Sequence, residues 1–246
     1  IRISFLTVAI WWAVFTLPII IFLPEPKSSN SVPLSKAVFS GISQLRETYD
    51  NIREMKIIGT FLLAFWLYED GVATIVRMAG KIASSLGFAA GDIITAILMV
   101  QFIGFPAALL YNWFAKKIGI KNAVLVAIAG YGIITLLGYM MTDIIHFYIL
   151  AAMIGIFQGG IQSLSRSLFT RLVPKGKEAE FFGFYNMLGK FAAVIGPILV
   201  GWITVMTGNP RTGILSIVVL FILGGLLLIK VDFEAGEKIA ADFGKK

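Results

Sequence analysis

Long apolar runs separated by short polar segments repeat along the whole chain. Seven runs of roughly 17 to 23 residues would, as helices, approach or reach the thickness of a bilayer's hydrocarbon core. The pattern therefore predicts an all-α fold, a polytopic bundle of transmembrane helices. The predicted spans are Ile3–Leu23, Ile57–Ala79, Ile93–Phe114, Ala123–Met141, Ile145–Leu164, Phe184–Met206 and Gly213–Ile229.

The connection between the first two spans changes character along its length. It begins Pro24-Glu-Pro and continues with small polar residues from Ser28 to Ser31, which predicts a flexible segment. Apolar residues then recur at helical spacing, which favours either an amphipathic helix on the membrane surface or a solvated linker helix. These apolar positions are Leu34, Val38, Leu45, Tyr49 and Ile52.

Composition supports a membrane protein and argues against several other classes. Hydrophobic residues make up 58% of the 246 residues and charged residues 14%, with a mean hydropathy of +0.87, so lipid is the expected solvent. The net charge of +7 does not indicate nucleic-acid binding, because the basic residues lie in loops between apolar runs. With no cysteine, a single histidine and no nucleotide-binding glycine loop, neither an enzyme, a metal nor a cofactor is expected.

The loop charges predict an orientation. If the first connection is cytoplasmic, 16 of the 21 lysines and arginines lie on the cytoplasmic side and three lie outside. The positive-inside rule then places the amino end outside and the carboxyl end in the cytoplasm. The 16 are Lys27, Lys36, Arg46, Arg53, Lys56, Lys116, Lys117, Lys121, Arg166, Arg171, Lys175, Lys177, Lys230, Lys238, Lys245 and Lys246, against Arg2, Lys81 and Arg211.

The second predicted span contains three charged residues, Glu69, Asp70 and Arg77. Each charge costs on the order of 3 kcal/mol at the centre of an inserted helix, so together the charges cancel the favourable insertion free energy of its apolar residues. The helix should therefore turn its polar side towards protein or a water-filled cavity. Asp70 and Arg77 are seven residues apart and share a face, with Glu69 rotated by about 100°.

Polar content repeats with a period of three helices. The first, fourth and seventh spans contain no charged residue between their ends. This predicts two three-helix units in which the apolar helices face lipid and the others surround a polar interior. Polar residues of the third, fifth and sixth spans are Gln101, Gln158, Gln162, Asn186 and Lys190, and Arg166 continues the stripe of the fifth.

These polar residues have alternative roles. Glu69 and Asp70 are candidates for proton or cation coupling, because an intramembrane carboxylate can take up a proton as a cavity changes sides. A structural ion pair of these acids with Arg77 or Lys190 is the alternative. The glutamines and Lys190 would contact a polar substrate, or instead bond between helices. Arg166 is expected near the cytoplasmic end, as an orientation or gate residue.

Small residues and prolines predict local geometry within the spans. Gly155 and Gly159 form a pair that permits close helix packing. Pro106 and Pro197 lie inside spans and should kink them.

Three stretches carry a family resemblance. They are Phe65-Trp-Leu-Tyr-Glu-Asp-Gly71, Gly159-Gly-Ile-Gln-Ser-Leu-Ser-Arg-Ser-Leu-Phe169 and Pro174-Lys-Gly-Lys-Glu-Ala-Glu-Phe-Phe-Gly-Phe-Tyr-Asn186. They resemble the vacuole-effluxer-like branch, including the unknown major facilitators, of the major facilitator superfamily. The resemblance implies that the spans are helices six to twelve, a carboxyl-terminal six-helix half preceded by one helix.

The same resemblance implies a loop motif, Gly-x-x-x-Asp-Arg-x-Gly-x-Arg, between the third and fourth spans. The chain reads Asn112-Trp-Phe-Ala-Lys-Lys-Ile-Gly-Ile-Lys121. Lys117, Gly119 and Lys121 fit the motif as cytoplasmic-loop or gate residues. Lys116 replaces the aspartate, so the latch that this aspartate would make to a neighbouring helix is not implied.

The resemblance implies secondary transport of a small molecule by alternating access, with a separate amino-terminal half as partner and the bacterial inner membrane as location. The expected segments are 1–23 (last helix of that half), 24–56 (cytoplasmic connection), 57–230 (six-helix transport domain) and 231–246 (cytoplasmic tail). The predicted substrate is a small polar solute such as an amino acid, with proton or cation coupling. A non-transporting scaffold, a lipid-handling bundle and a channel are the alternatives.

Overall fold

The computed structural model describes residues 2–23 and 55–243 and, between them, residues 41, 43, 46–49, 51 and 52. Every regular element in these residues is a helix, which confirms the all-α prediction. The helices are α1 (Arg2–Phe22), α2 (Lys56–Ser85), α3 (Ala90–Ile118), α4 (Ile120–Tyr139), α5 (Ile144–Leu172), α6 (Glu178–Phe191), α7 (Ile195–Thr207), α8 (Pro210–Leu215), α9 (Val218–Lys230) and α10 (Phe233–Phe243).

The chain divides into two compact units, Ile1–Ser43 and Gln44–Lys246. The first unit contains α1, a helix that is apolar around its whole circumference. The second unit contains α2 to α10 and all the predicted site residues.

Seven helical segments are long and apolar enough to cross a membrane, which confirms the seven predicted spans. The first five spans are α1 to α5, but the sixth consists of α6 and α7, and the seventh of α8 and α9. Short non-helical stretches at residues 192–194 and 216–217 divide these last two spans.

The break in the sixth span has a cause in the sequence. A proline ring clashes with the carbonyl group four residues earlier and supplies no N–H donor. For Pro197 that carbonyl belongs to Ala193, and residues 192–194 are not helical. Because α7 begins at Ile195, Pro197 lies in its first turn, where no intrahelical donor is needed. By contrast, α3 is helical on both sides of Pro106.

The fourth and seventh spans, predicted to face lipid, each also bury one side within this unit. Helix α9 packs against both α2 and α4. Tyr131 of α4 and Phe221 of α9 are buried, with stacked rings whose centroids are 5.8 Å apart. A Cβ atom added at Gly224 would lie 3.0 Å from the backbone nitrogen of Tyr68. Apolar residues suit lipid and neighbouring helices equally well, so low polarity does not identify a lipid-facing helix.

Helices α3 and α5 pack closely, as the glycine pair predicts. A Cβ atom added at Gly155 would lie 3.0 Å from the carbonyl oxygen of Val100. One added at Gly159 would lie 2.8 Å from the Cβ atom of Ala108. Only a residue without a side chain lets the two backbones approach this far, so this prediction is confirmed.

An aromatic cluster joins α2, α5 and α6. Tyr185 of α6 stacks on Phe65 of α2 with ring centroids 4.2 Å apart, and on Phe169 of α5 at 4.8 Å. Next to the cluster, the Tyr68 hydroxyl donates to Ser165 Oγ at 2.6 Å, and both residues are fully buried. These contacts fix the short helix α6 against the long helices α2 and α5.

Helix α10, Phe233–Phe243, follows the last span. Phe233 of α10 packs edge-on against Phe61 of α2, with centroids 5.8 Å apart. An ion pair joins Arg171, in the last turn of α5, to Glu237 of α10. Helix α10 is therefore docked on the ends of α2 and α5.

The predicted surface helix before α2 lies largely outside the described residues. Within it, residues 46–49, 51 and 52 are helical, and Ile52 is buried. Lys177 Nζ lies 3.1 Å from Glu47 Oε1 and 3.3 Å from Glu180 Oε2. The hydrogen bond that Lys177 donates to the Glu47 carboxylate is the main cause that raises the pKa of Lys177 above its usual value.

Candidate functional site

Five of the predicted site residues line one polar cavity of about 380 Å³. Phe65, Tyr185 and Gly189 complete the lining. The polar members are Glu69 of α2, Gln162 and Arg166 of α5, and Asn186 and Lys190 of α6. Four of these, all except Glu69, are exposed, so the cavity is open on one side of the unit.

Helical spacing explains why these side chains meet. Residues four apart lie on the same face of a helix, and each helix contributes such a pair: Phe65 with Glu69, Gln162 with Arg166, and Asn186 with Lys190. Gly189 lies opposite Phe65, and a Cβ atom there would be 3.7 Å from the ring. The cavity therefore lies where α6 faces the paired helices α2 and α5.

Arg166 lies in the wall of this cavity. Its Nη2 atom donates to Asn186 Oδ1 at 3.3 Å, and its guanidinium lies 5.6 Å from the ring centroid of Phe182. Helix α5 continues for six residues beyond Arg166, to Leu172. Arg166 is thus part of the cavity wall, and its predicted place near the cytoplasmic end stays a prediction.

The cavity contains both signs of charge. Two cations, Arg166 and Lys190, and one carboxylate, Glu69, line it. Glu69 Oε2 is buried and has no hydrogen-bond partner among the described protein atoms. Ion pairs within 4.0 Å in the described part of the chain do not include these three residues. The described residues therefore do not neutralise these three charges by ion pairing.

Asp70 has a different position, although it follows Glu69 directly. The backbone N–H of Gly196, in the first turn of α7, donates to Asp70 Oδ2 at 2.9 Å. The Thr74 hydroxyl donates to Asp70 Oδ1 at 3.4 Å. Asp70 is 1% exposed and Thr74 is 0% exposed. A carboxylate at the amino end of a helix satisfies free N–H groups and complements the helix dipole, so Asp70 caps the second half of the broken span.

Neither ion pair predicted for Asp70 is present among the described residues. The absence of a side chain at Gly196 allows the start of α7 to approach Asp70 of α2. A Cβ atom there would lie 3.1 Å from Asp70 Oδ1 and would collide with the Thr74 hydroxyl. The start of α7 therefore lies directly against α2.

The remaining polar residues of the spans line a second cavity. It has a volume of about 300 Å³, lies between α2, α3, α4 and α5, and is mainly apolar. Arg77, Gln101 and Gln158 are among its lining residues. The eight residues predicted for substrate binding or ion coupling thus do not line one cavity: four line the polar cavity, three line the apolar cavity, and Asp70 caps α7.

Of the predicted loop residues, Lys121 joins the turn between α3 and α4 to the end of α9, a contact that we call the clasp. Lys121 Nζ donates to the carbonyl oxygens of Ile229 at 2.9 Å and Val231 at 2.8 Å, at the end of α9. Gly119 has φ +89° and separates α3 from α4. Lys117 Nζ lies 3.8 Å above the ring of Trp113 on its own helix. Lys121 therefore contacts a neighbouring helix, although Lys116 stands where the family's loop motif has an aspartate.

Three aromatic residues near the polar cavity were not predicted from the sequence. Phe65 and Tyr185 line it. Phe65 lies four residues before Glu69 on α2, and Tyr185 directly precedes Asn186 on α6. Tyr131 is fully buried, and its hydroxyl has no protein partner among the described residues. It lies in a span without charges, where nothing in the sequence pattern marks it.

The described helices define an integral, multi-pass membrane protein with a charged cavity among its spans. The chain belongs to the family described as vacuole effluxer Atg22 like, whose family model matches residues 1–241. This confirms the resemblance carried by the three sequence stretches.

Two relatives illustrate the breadth of the family. The chain is 34% identical over 239 residues to the uncharacterized MFS-type transporter YxiO of Bacillus subtilis, covering 97% of this chain and 55% of that protein. It is 29% identical over 272 residues to autophagy-related protein 22 of Yarrowia lipolytica, covering 97% of this chain and 46% of that protein. The chain spans about half the length of the curated relatives it matches.

Proposed function

We propose that the chain is the carboxyl-terminal half of a secondary active transporter that moves a small polar solute by alternating access. The observation that carries the proposal is the open cavity of about 380 Å³ lined by Glu69, Arg166 and Lys190. Charged residues inside membrane spans are costly and face functional cavities. Packing alone does not require charged residues that face one another on α2, α5 and α6, so these charges support a binding role.

Amino acids are the first solute class that this cavity suggests. An amino acid carries a carboxylate and an ammonium group a few ångströms apart. Arg166 or Lys190 would bind the carboxylate, Glu69 would bind the ammonium group, and the amides of Gln162 and Asn186 would bind remaining polar atoms. The names of the relatives, an MFS-type transporter and members of an effluxer family, agree with transport.

The open side of the cavity supports the proposed partner. Exposed Gln162, Arg166, Asn186 and Lys190 would be costly against lipid. We propose that an amino-terminal half, ending in residues 1–23, covers them. Residues 24–56 would be the cytoplasmic connection, 57–230 the transport domain and 231–246 a cytoplasmic segment. Rocking of the two halves would expose the cavity to each side in turn, so the 246 residues alone are not expected to transport.

Location and orientation follow from charge. With Arg166 placed in the cavity, 15 basic residues remain on the proposed cytoplasmic side against three outside. This bias supports a cytoplasmic carboxyl end. The similarity to a Bacillus subtilis protein supports a bacterial cytoplasmic membrane.

We assign proton or cation coupling to Glu69 rather than Asp70. Asp70 already accepts hydrogen bonds on both oxygens. Glu69 Oε2 accepts none from the described protein atoms. A carboxylate that lines the solute cavity can exchange a proton or cation without breaking a helix cap.

The test is uptake by the full-length protein in proteoliposomes, screened over amino acids, peptides and sugars under an imposed proton gradient. Glu69→Gln should lower gradient-driven accumulation by at least about tenfold while expression and melting temperature stay unchanged. Glu47→Gln, which alters a carboxylate outside the cavity, is the control and should leave uptake unchanged.

Three results would contradict the proposal. Normal coupled uptake by Glu69→Gln would remove Glu69 from the coupling site. Absence of uptake of every solute by the unaltered protein would favour a scaffold or lipid-handling bundle. Conductance that does not saturate with solute would favour a channel.

A further inference from the structure

The wall between the two cavities is about one helical turn thick. On α5, Gln162 lines the polar cavity, and Gln158, one turn earlier, lines the apolar cavity. On α4, Thr135 lines the apolar cavity, and its hydroxyl donates to the carbonyl oxygen of Tyr131, one turn earlier, at 2.8 Å. One turn of α-helix rises about 5.4 Å.

Three buried oxygen atoms on three different helices lie in this wall. Glu69 Oε2, Tyr131 OH and Gln158 Oε1 are all buried and have no hydrogen-bond partner within the described part of the chain. Glu69 lines the polar cavity and Gln158 lines the apolar one. Tyr131 approaches α2 through Phe221: the two rings stack with centroids 5.8 Å apart, and a Cβ atom added at Gly71, two residues after Glu69, would lie 2.8 Å from the Phe221 ring. The three oxygens thus belong to helices that surround the two cavities, at the level where the cavities approach each other.

A buried polar atom without a partner costs about 1 to 3 kcal/mol. Most of the bundle avoids this cost: the hydroxyls of Tyr68 and Tyr111, which are also buried, donate to Ser165 Oγ and to the carbonyl oxygen of Ala123. Tyr131 is as deeply buried as Tyr68, at 0% exposure for each. The concentration of partnerless oxygens in one wall points to a polar occupant between the helices.

We propose that this wall is a proton path, in which water bound between Glu69, Tyr131 and Gln158 connects the apolar cavity to Glu69. The chemistry of the three groups fits this role. A tyrosine hydroxyl both donates and accepts, so it can pass a proton between waters without net change, whereas the amide oxygen of Gln158 only accepts and orients a water. A proton that enters at Gln158 ends on the Glu69 carboxylate, and only O–H bonds form and break.

The path ends among charged groups that also face the solute. From the helices packed around it, the titratable and charged groups near Glu69 are Arg166 of α5, Tyr185 and Lys190 of α6, Tyr131 of α4, and Tyr68 of its own helix, whereas Asp70 points to Gly196 and Thr74. A solute carboxylate bound to the two cations would change the field at Glu69. Proton uptake and solute binding are thereby linked, and the inference rests on the proposed function.

The test measures proton entry into liposomes that contain the full-length protein and a trapped pH-sensitive dye, driven by a potassium diffusion potential. Tyr131→Phe should lower the protein-dependent rate by at least about tenfold, as expected when a relay group is removed. Gln158→Leu should lower it in the same direction. Tyr139→Phe, an exposed tyrosine on the same helix, is the matched control and should retain the rate of the unaltered protein.

The melting temperature separates a relay from a structural role. Tyr131→Phe removes one oxygen that bonds to no described protein atom, so the melting temperature should stay the same or rise. A lowered melting temperature, or a proton rate equal to that of the unaltered protein, would overturn the path.

Glu69→Gln distinguishes failure of the path from failure of the proposed function. If Glu69→Gln stops proton entry and Tyr131→Phe does not, the path is wrong and the coupling assignment stands. If neither variant changes proton entry, both are wrong.

Discussion

Glu69 and Asp70 are neighbours on α2, yet the regions around them differ in almost every respect. Asp70 is 1% exposed, and its oxygens accept hydrogen bonds from the Gly196 N–H and the Thr74 hydroxyl. Glu69 lines the polar cavity, and its Oε2 atom has no partner among the described residues. The two side chains point about 100° apart around the helix. Both oxygens of Asp70 therefore have hydrogen-bond donors, whereas Glu69 Oε2 has none among the described residues. A buried acid in a membrane span is therefore not by itself a coupling residue.

The largest effect on stability is expected from Asp70→Ala. This change leaves the N–H of Gly196 and the hydroxyl of Thr74 buried without their acceptor, so it should lower the free energy of unfolding by about 2 to 3 kcal/mol. Denaturant unfolding in detergent micelles measures the loss. Glu69→Ala should change stability by no more than about 0.5 kcal/mol, and equal losses for the two variants would break the comparison.

Gly196→Ala tests the same region from the other helix. The added Cβ atom would lie 3.1 Å from Asp70 Oδ1 and would collide with the Thr74 hydroxyl, so a loss of about 1 to 3 kcal/mol is expected. Gly201→Ala is the matched control, because it lies on the same helix with nothing within 4 Å of its added Cβ atom. Replacing glycine in an open helical position should be neutral or stabilising, and a loss equal to that of Gly196→Ala would contradict the cap.

Lys121→Ala should have a smaller effect. It removes two hydrogen bonds to the carbonyl oxygens of Ile229 and Val231, which end α9. Part of the interaction is exposed to solvent, so we expect a loss of about 1 kcal/mol in the same unfolding experiment. Lys116→Ala, an exposed lysine in the neighbouring turn, should have no measurable effect.

The smallest effect is expected from the exposed pair of Lys177 and Glu47. The pKa of Lys177 is raised in the folded protein, so its contribution is complete below the usual lysine pKa of about 10.4 and is lost as pH rises through the raised value. Side-chain exposures of 30% and 61% make that contribution small. Melting temperatures at about pH 9 and about pH 11.5 should therefore differ slightly more for the unaltered protein than for Lys177→Ala.

The sequence predicts the seven spans because length and low polarity are strong signals in a membrane protein. It also brings Glu69, Gln162, Asn186 and Lys190 towards one site, since spacing by four residues fixes a helix face. It does not predict that Arg166 joins them in the cavity wall, because a charge near the end of an apolar run is easily taken as the end of a span, whereas α5 continues to Leu172.

Other features depend on contacts between distant parts of the chain. The cap on α7 joins Asp70 to Gly196, which are 126 positions apart, so no local pattern could reveal it. Pro197 predicts a kink in the sixth span, but it does not predict that the helix is interrupted over residues 192–194. Tyr131 lies in a span that looks suited to lipid, and only the packing of α9 against α4 shows that it is buried.

The clasp made by Lys121 has a mechanical consequence. Its ammonium group joins the turn between α3 and α4 to the last carbonyl oxygens of α9, although these segments are more than a hundred positions apart in the chain. A tilt of α9 away from this turn would break both hydrogen bonds, so the contact favours joint movement of the middle and the last span of the chain.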